Sequence, residues 1–157
     1  MQADSPGTTI ERVREGDLAE LLGLMRAYCD FYEATPREAA LLALARALIA
    51  RPERHGEQLL ARTDRGEAVG FATLLWTWDT LRGGEIGVMS DLYVVEARRG
   101  AGLGRALIEA CTARCRERGA VGMDWQTAPG NARAQRLYDT LGAEREEAIV
   151  YALEIRG

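Results

Sequence analysis

Residues 99–104 read Arg-Gly-Ala-Gly-Leu-Gly, and they lie between a predicted strand at residues 89–95 and a predicted helix at residues 103–118. Glycine carries no Cβ, so this turn lets the backbone come close to a ligand. The helix that follows directs its first N–H groups and the positive end of its dipole to the same place. Arg98, Arg99 and Arg105 add positive charge around the turn. The stretch therefore predicts a site for phosphate or pyrophosphate.

The residues after the turn exclude two common classes of phosphate-binding protein. A P-loop ends in Gly-Lys-Ser/Thr, whereas this chain has Gly104-Arg105-Ala106, and all 20 of its basic residues are arginine. The dinucleotide-binding fingerprint requires a third glycine at position 105 or 107, and these positions hold Arg105 and Leu107. Because the chain has no lysine, imine chemistry is excluded as well.

Length and composition are typical of one globular domain. The chain has 157 residues, of which 47% are hydrophobic and 28% charged, and its formal net charge is −4. We expect a single domain over residues 8–157, after a flexible N-terminus at residues 1–7. The negative net charge disfavours nucleic acid as a partner. The longest apolar stretch, residues 39–50, is too short for a membrane span.

The cysteines indicate a reducing compartment. Cys29, Cys111 and Cys115 are odd in number, each falls on an apolar helical stripe, and no signal peptide precedes them, so we expect a cytoplasmic protein. Cys111 and Cys115 have a spacing compatible with a metal or redox pair, but only His55 could add an imidazole ligand. We expect buried structural thiols and no bound metal.

Hydrophobic periodicity predicts the element order βααβββαβαβ. Asp17 is the predicted cap of the first helix, and Thr35-Pro36-Arg37-Glu38 is a predicted capping box that opens the second, which ends at Arg51-Pro52. The predicted strands are residues 9–14, 58–63, 68–78, 85–95, 121–127 and 148–155, and the later helices are residues 103–118 and 131–141. This order predicts one α/β domain in which an antiparallel meander and a helical crossover share a mixed sheet.

Two segments resemble the signature motifs of the GNAT N-acetyltransferase superfamily. They read Asp91-Leu92-Tyr93-Val94-x-x-x-x-Arg99-x-x-Gly102-x-Gly104 and Asn131-x-x-Ala134-x-x-x-Tyr138-x-x-x-Gly142-Ala143, within a similarity that covers residues 70–143. The resemblance implies the GNAT fold of the α/β (α+β) class. Its mixed, mostly antiparallel twisted sheet has about six to seven strands, is splayed between the fourth and fifth, and is flanked by about four helices. It also implies acetyl-coenzyme A (acetyl-CoA) as co-substrate.

The resemblance assigns the cofactor to the glycine turn and to the strand before it. The turn would hold the pyrophosphate, residues 92–94 would pair with the pantetheine arm like an added strand, and an amide at Tyr93 or Val94 would hold the thioester oxygen. Asn131 would contact the pantetheine region. The implied cofactor-binding residues are Leu92, Tyr93, Val94, Arg99, Gly100, Ala101, Gly102, Leu103, Gly104, Arg105, Asn131 and Tyr138.

The same resemblance makes Tyr138 the general acid that protonates the departing thiolate. A phenol suits this role because it stays protonated at neutral pH. The helical spacing also allows a second interpretation, in which Tyr138 packs on an apolar stripe with Leu137 and Leu141.

A carboxylate is needed to accept a proton from the attacking amine. The candidates are Asp79, Glu85, Asp91 and Asp124, and each of them also fits a solvated charge at a strand end or turn. Strand alternation places Ser90 and Asp91 on opposite faces, so only one of them can face a given cavity. Asp91 is the predicted catalytic carboxylate.

Within the superfamily, residues 71–94 and 124–142 look most like the diamine (spermidine/spermine) acetyltransferases and related small-amine and histone-acetylating members. Those polyamine enzymes carry a glutamate where Ser90 stands in this chain. Aromatic and acidic side chains suit an ammonium group. The predicted acceptor-site residues are Tyr32, Trp76, Trp78, Asp79, Ser90 and Trp125.

The predicted function is acetyl transfer to a primary amine, with a small or polyamine-like acceptor favoured, by direct attack in a ternary complex. Cys111 and Cys115 lie in the middle of a predicted helix, which disfavours a covalent enzyme intermediate. Two alternatives stay open, namely a noncatalytic acyl-CoA binding or sensing module and an enzyme that acetylates a protein amine. The expected partners are the small-molecule amine and a second copy of the chain in a homodimer.

Overall fold

A computed structural model describes residues 7–157 as two compact units that divide after Gln126. The first, here called the sheet unit, contains the strands and the first four helices, and the second, the C-terminal unit, begins at Thr127. Residues 1–6 of the predicted flexible N-terminus lie outside the described residues. A single domain over residues 8–157 stays a prediction.

The sheet unit is built on a five-stranded mixed sheet in the order β1-β2-β3-β4-β5. The strands are β1 Thr8–Arg12, β2 Gly56–Thr63, β3 Ala68–Asp79, β4 Gly84–Val94 and β5 Gly122–Asp124. The first four pair antiparallel, as the predicted meander requires, and β5 pairs parallel with β4. A parallel pair needs a crossover connection, which the helix between β4 and β5 provides. The α/β class is confirmed.

The helices of the sheet unit cover both faces of the sheet. They are α1 Leu18–Phe31, α2 Glu38–Ala50, α3 Pro52–His55 and α4 Leu103–Arg118. Leu21 of α1 and Ala45 of α2 share a buried cluster with Phe71 of β3. Neighbouring residues of a strand point to opposite faces, so Gly70 lies against Leu107 of α4 on the other side of the sheet. In the described residues, no helix is long and apolar enough to cross a membrane.

The two predicted helix caps differ from the structure in their hydrogen bonds. Asp17 occupies the N-cap position of α1, as predicted, but its carboxylate accepts hydrogen bonds from the Arg14 amide at 2.9 Å and from Arg62 at 2.7 Å instead of from an α1 amide. Helix α2 begins at Glu38 with no side-chain cap, so the capping box at Thr35 is wrong. Tertiary hydrogen bonds thus override a local capping signal at Asp17.

The helix stop at Arg51-Pro52 is confirmed, since α2 ends at Ala50. Pro52 then opens α3, a short helix that the sequence did not predict, at the first helical position that proline favours. With α5 Ala132–Asp139 in the C-terminal unit, the described chain has five helices where about four were expected.

The structure has five strands where six to seven were expected. Residues 148–155, the predicted closing strand, pair with no described residue, and Ile149, Tyr151 and Leu153 are 83%, 89% and 84% exposed. Alternating apolar residues show that a segment is able to form a strand, but a strand also needs a neighbouring backbone to bond. The fifth strand is likewise shorter than predicted, at Gly122–Asp124.

Gly87 of β4 lets α4 lie close to the sheet, because an added Cβ would meet Cys115 Sγ at 2.5 Å and Leu74 Cδ1 at 2.9 Å. We expect Gly87→Ala to lower the free energy of unfolding by about 1–3 kcal/mol, since overpacking forces neighbouring atoms aside. Urea denaturation followed by circular dichroism measures this change. The control is Gly23→Ala on the exposed side of α1, where nothing lies within 4 Å of the added Cβ. It should raise the unfolding free energy by about 0.5–1 kcal/mol, and a loss of similar size in both variants would contradict the packing argument.

Candidate functional site

The turn between β4 and α4 is shaped by two glycines in the left-handed region. Gly100 and Gly102 have φ of +85° and +84°, a conformation that other residues rarely adopt. Gly102 is the N-cap of α4, and its carbonyl accepts a helical hydrogen bond from the Ala106 amide at 3.0 Å. The amides that precede this bond have no partner within the helix, and the positive end of the helix dipole lies beside them. The turn therefore has the geometry that an anion cradle requires.

Arg99 holds this turn against the end of β4. Its Nε donates to the Val94 carbonyl at 2.9 Å, and its guanidinium lies 5.7 Å from the Tyr93 ring and 6.0 Å from the Phe31 ring. Through these contacts Arg99 positions the backbone of the turn, in addition to the positive charge that the sequence predicted for it. Its direct contact with a phosphate stays a prediction.

The other two arginines of the turn are on the surface. Arg98 lies 3.6 Å from Glu67, and Arg105 lies 3.9 Å from Glu109, one helical turn along α4. Exposed ion pairs of this kind contribute only about 0.2–1 kcal/mol each. Both guanidinium groups are therefore able to exchange a carboxylate for a phosphate at low cost.

Strand β4 is fully paired on one side only. Strand β3 pairs with it as far as Val94, whereas β5 pairs only with Ile86, Gly87 and Val88. Along residues 89–94, β4 has no strand partner on the β5 side among the described residues. Such an open edge is able to pair with an extended ligand. The expected splay between the fourth and fifth strands stays a prediction, because β5 ends at Asp124 where its pairing with β4 ends.

A β-bulge in β4 changes which side chains share a cavity. Thr73 pairs with Asp91 and Leu74 pairs with Met89, so Ser90 is an extra residue on β4. The expectation from alternation, that Ser90 and Asp91 face opposite sides, is wrong because a bulge interrupts the two-residue period. Both residues line the same cleft.

This cleft has a volume of about 510 Å³ and lies within the sheet unit. Its lining combines apolar side chains of α2 with polar and charged groups of α3, β3 and β4. The lining residues are Leu44, Ala47, Leu48, Arg54, His55, Thr73, Leu75, Trp76, Ser90 and Asp91. A cleft of this size, with a few polar groups, is typical of small-molecule sites. Arg54 was not predicted from the sequence, although its place between a helix-ending proline and a strand is a loop-like position where binding residues often lie.

Asp79 and Asp124, two of the candidate carboxylates, are bound to the same arginine. Arg82 donates to both oxygens of Asp124 at 3.0 and 2.6 Å, and it also pairs with Asp79. The hydrogen bond from Arg82 lowers the pKa of Asp79, which further accepts the Leu81 amide. These groups fix the turn between β3 and β4.

Glu85 is held in a comparable pair with Arg118, whose hydrogen bond lowers the pKa of Glu85. Asp91 alone among the four candidates forms no ion pair with an arginine in the described chain. A carboxylate engaged by a guanidinium is a poor proton acceptor, because the pair favours the charged form. Asp91 is therefore the best placed of the four to accept a proton, and it lines the cleft.

Tyr28 of α1 lies beside the bulge. Its hydroxyl donates to the Ser90 carbonyl at 3.4 Å, and its ring packs edge-on against Phe71 and Tyr93 at centroid distances of 5.8 and 6.4 Å. Burial, together with the negative charge of Asp91, raises the pKa of Tyr28 above its ordinary value of 10.0. The phenol thus stays a hydrogen-bond donor to the bulged backbone.

Of the three tryptophans predicted for the acceptor side, Trp76 lines the cleft. Its indole N–H donates to the Pro52 carbonyl at 3.2 Å, and the Arg118 guanidinium lies 4.6 Å from its ring centre. Trp78 is 77% exposed at the end of β3 and is not in the lining. Trp125, which follows β5, is partly buried and is also outside the lining.

The remaining predicted residues, Tyr32, Asn131 and Tyr138, are not among those that line this cleft. Tyr32 is half-exposed at the end of α1, with its ring 5.0 Å from that of Tyr28. In the C-terminal unit, Asn131 caps α5 by accepting the Ala134 amide at 3.2 Å. Tyr138 is partly buried on α5. The roles of Asn131 and Tyr138 toward a cofactor stay predictions.

The raised pKa of Tyr28 predicts a late-titrating phenol. Spectrophotometric titration of the five tyrosines should show one that ionises only above the ordinary range, and Tyr28→Phe should remove it. The folded chain holds this proton more tightly than the unfolded chain does. The stability contributed by Tyr28 is therefore full below pH 10.0 and is lost as the pH rises above it. Tyr151→Phe, at a phenol that is 89% exposed, is the control and should leave the late step in place. A late step that persists in Tyr28→Phe would assign it to another tyrosine.

Comparison with known proteins agrees with this geometry. The profile of the Acetyltransferase (GNAT) family matches residues 21–143. An uncharacterised N-acetyltransferase of Bacillus subtilis is 31% identical over 143 residues, which cover 90% of this chain and 93% of that protein. A D-amino-acid N-acetyltransferase of Saccharomyces cerevisiae is 35% identical over 129 residues, which cover 82% of this chain and 79% of that protein.

A solved structure shares the fold. An aminoglycoside N-acetyltransferase in complex with CoA has a TM-score of 0.82 at 22% identity, over 94% of this chain and 94% of that one. The chain therefore belongs to the GNAT acetyltransferase family and is an acetyl-CoA-dependent N-acetyltransferase.

Proposed function

We propose that this enzyme moves the acetyl group of acetyl-CoA to the primary amine of a small molecule by direct attack, with both substrates bound at once. The observation that supports the proposal is the order of two backbone features along the chain. The edge of β4 that β5 leaves unpaired is followed by one 3-10 turn at Glu96–Arg98 and then by the glycine turn at the start of α4. An extended pantetheine arm that ends in a pyrophosphate needs these two features in this order.

Backbone groups hold most of the cofactor in this proposal. Residues 92–94 pair with the pantetheine arm, and the amides of residues 100–104 surround the pyrophosphate at the positive end of α4. The fit is good because the left-handed glycines leave no side chain between these amides and a phosphate. The residues assigned to cofactor binding are Leu92, Tyr93, Val94, Arg99, Gly100, Ala101, Gly102, Leu103, Gly104, Arg105, Asn131 and Tyr138.

In this proposal two side chains of the enzyme transfer protons. The bound cofactor supplies the thioester carbonyl that the amine attacks. Asp91 accepts the proton of the amine, directly or through one water, and Tyr138 protonates the sulfur that departs. Support for Asp91 comes from its place on the cleft and from the arginines that engage the other three carboxylates.

Direct attack is favoured over a thiol intermediate. Burial raises the pKa of Cys111 to about 12, and it also raises the pKa of Cys115. A thiol that stays protonated and buried in α4 is a poor nucleophile.

A small molecule is the proposed acceptor, because the cleft has the volume of a small-molecule site. Proteins similar to this one are named for D-amino acids and for aminoglycosides, which are also small amines. The polyamine-like acceptor and the diamine-acetyltransferase subgroup belong to the same class of substrate. An acceptor on a protein is disfavoured, since a flat or open groove would serve a chain segment better.

We also propose that the enzyme acts in the cytoplasm as a homodimer. Its three unpaired thiols suit a reducing compartment. Ile149, Val150 and Tyr151 are 83%, 69% and 89% exposed, and apolar side chains in such a run favour burial against a second copy. The molar mass of the intact chain in solution, measured by light scattering, tests the dimer.

The cradle predicts that Gly102→Val weakens acetyl-CoA binding. Valine at a φ of +84° is strained, and its side chain enters the space over the amides. We expect the dissociation constant to rise by more than about tenfold, as measured by isothermal titration calorimetry. Gly66→Val is the matched control, because Gly66 has a φ of +80° in the turn between β2 and β3 and open space around its Cβ. Unchanged affinity in Gly102→Val would rule out the cradle.

The proton-transfer roles predict two rate defects. Asp91→Asn and Tyr138→Phe should each lower turnover at neutral pH by about 10²–10⁴-fold, as measured by release of CoA. The defect of Asp91→Asn should shrink at alkaline pH, where more of the free amine is already deprotonated. Asp124→Asn, at an exposed carboxylate bound to Arg82, should keep full turnover. Full turnover of Tyr138→Phe at every pH would remove it as the acid, and the same result for Asp91→Asn would remove the base.

A further inference from the structure

The cleft carries charges of both signs. Asp91 of β4 contributes the carboxylate, and Arg54 and His55 of α3 contribute a guanidinium and an imidazole. Arg54 forms no ion pair with a described residue, unlike Arg118 nearby, which binds Glu85. Asp91 likewise forms no ion pair in the described chain. Asp91 interacts with the Tyr28 hydroxyl, but neither Asp91 nor Arg54 is neutralised by an opposite charge. Two opposite charges that line one cleft without forming an ion pair are suited to the two charges of a ligand.

Helix α3, which carries Arg54 and His55, is anchored on the sheet unit. The Pro52 carbonyl accepts the Trp76 indole N–H at 3.2 Å, and the Glu53 carbonyl accepts Arg118 Nη2 at 2.6 Å. Gly56, directly after α3, has a φ of +129°, and a Cβ there would lie 2.0 Å from the Leu74 carbonyl oxygen. These contacts fix the backbone on both sides of Arg54 and His55. The backbone positions of these two residues relative to the cleft are therefore set before any ligand binds.

The strand register gives the separation of the two charged regions. Gly56 of β2 pairs with Leu75, and Thr73, two residues earlier on β3, pairs with Asp91 of β4. Two inter-strand spacings across the sheet and two residues along β3 separate Gly56 from Asp91, which is about 12 Å between backbones. The arginine side chain is long and flexible, so it spans much of this gap. One small molecule is therefore able to reach Asp91 and Arg54 together.

The remaining wall of the cleft is apolar. Leu44, Ala47 and Leu48 of α2 line it, together with Leu75 of β3. This surface favours an apolar group on the ligand. A polyamine fits poorly, because its second ammonium would lie near Arg54 without a carboxylate to receive it.

We propose that the acceptor is an amino acid with an apolar side chain, held with its amine at Asp91, its carboxylate at Arg54 and His55, and its side chain against α2. The inference rests on the proposed acetyl transfer and names its substrate class. Arg54 is then the residue that selects a carboxylate-bearing amine over other primary amines.

Matched acceptors test the class of substrate. Phenylalanine, in both enantiomers, is compared with phenylalaninamide and phenethylamine, which share its ring and amine but lack the carboxylate, and with spermidine. We expect kcat/KM for one enantiomer of phenylalanine to exceed those of the other three amines by roughly tenfold to a hundredfold, as the loss of a charge-assisted hydrogen bond predicts. The amide has the less basic amine, so a lower rate for it would not arise from a shortage of the deprotonated form.

A charge-removing substitution tests the residue. Arg54→Gln should raise KM for phenylalanine by a comparable factor, leave kcat almost unchanged, and leave kcat/KM for phenethylamine as it is. Arg51→Gln removes the same charge three residues earlier, outside the cleft lining, and should change neither acceptor.

The outcomes separate the inference from the function on which it rests. Turnover of phenethylamine or spermidine at least as fast as that of phenylalanine would overturn the amino-acid acceptor while upholding acetyl transfer. An equal loss for all amines in Arg54→Gln would show a structural role for Arg54 and overturn its selective one. Binding of acetyl-CoA without release of CoA for any amine would overturn the proposed function and the inference together.

Discussion

The short pairing between β4 and β5 is the constraint on which the rest of this structure depends. Only Ile86, Gly87 and Val88 of β4 bond to β5, while β3 covers the opposite edge of β4 as far as Val94. The remaining length of β4 is attached to the sheet on one side and has no strand partner on the other among the described residues. A 3-10 turn at Glu96–Arg98, the glycine turn and α4 follow this open edge. The chain thus presents an edge that is able to pair with an extended ligand without exposing a whole strand.

Ion pairs with arginine determine which carboxylates of the sheet stay available for acid–base chemistry. Arg82 and Arg118 engage Asp79, Asp124 and Glu85, which removes three carboxylates from acid–base work and ties the strand ends together. Guanidinium suits this task because its fork matches a carboxylate and does not lose its charge. Asp91 and Arg54, which form no ion pair in the described chain, both line the cleft.

The locally encoded elements could be predicted from the sequence, and those that depend on distant partners could not. Helix α4 has the predicted bounds, since its glycine start and its apolar stripe are both local signals. Residues 148–155 carry a strand pattern but bond to no described strand, because pairing is a property of two segments. The capping hydrogen bond at Asp17 is absent for a related reason, since Arg62, which is far away in sequence, binds its carboxylate.

By itself the sequence determined the glycine turn, the helix that follows it, the meander before it and the family to which these belong, because each rests on residues close together in the chain. Only the tertiary structure decided that Ser90 and Asp91 share one cleft, since a bulge forms when two strands are paired and no pattern within β4 requires it. The tertiary structure also brought Arg54 to that cleft, because α3 and β4 meet only through the sheet between them. The residues proposed for the cofactor turn were thus local in the sequence, and those proposed for the acceptor cleft were not.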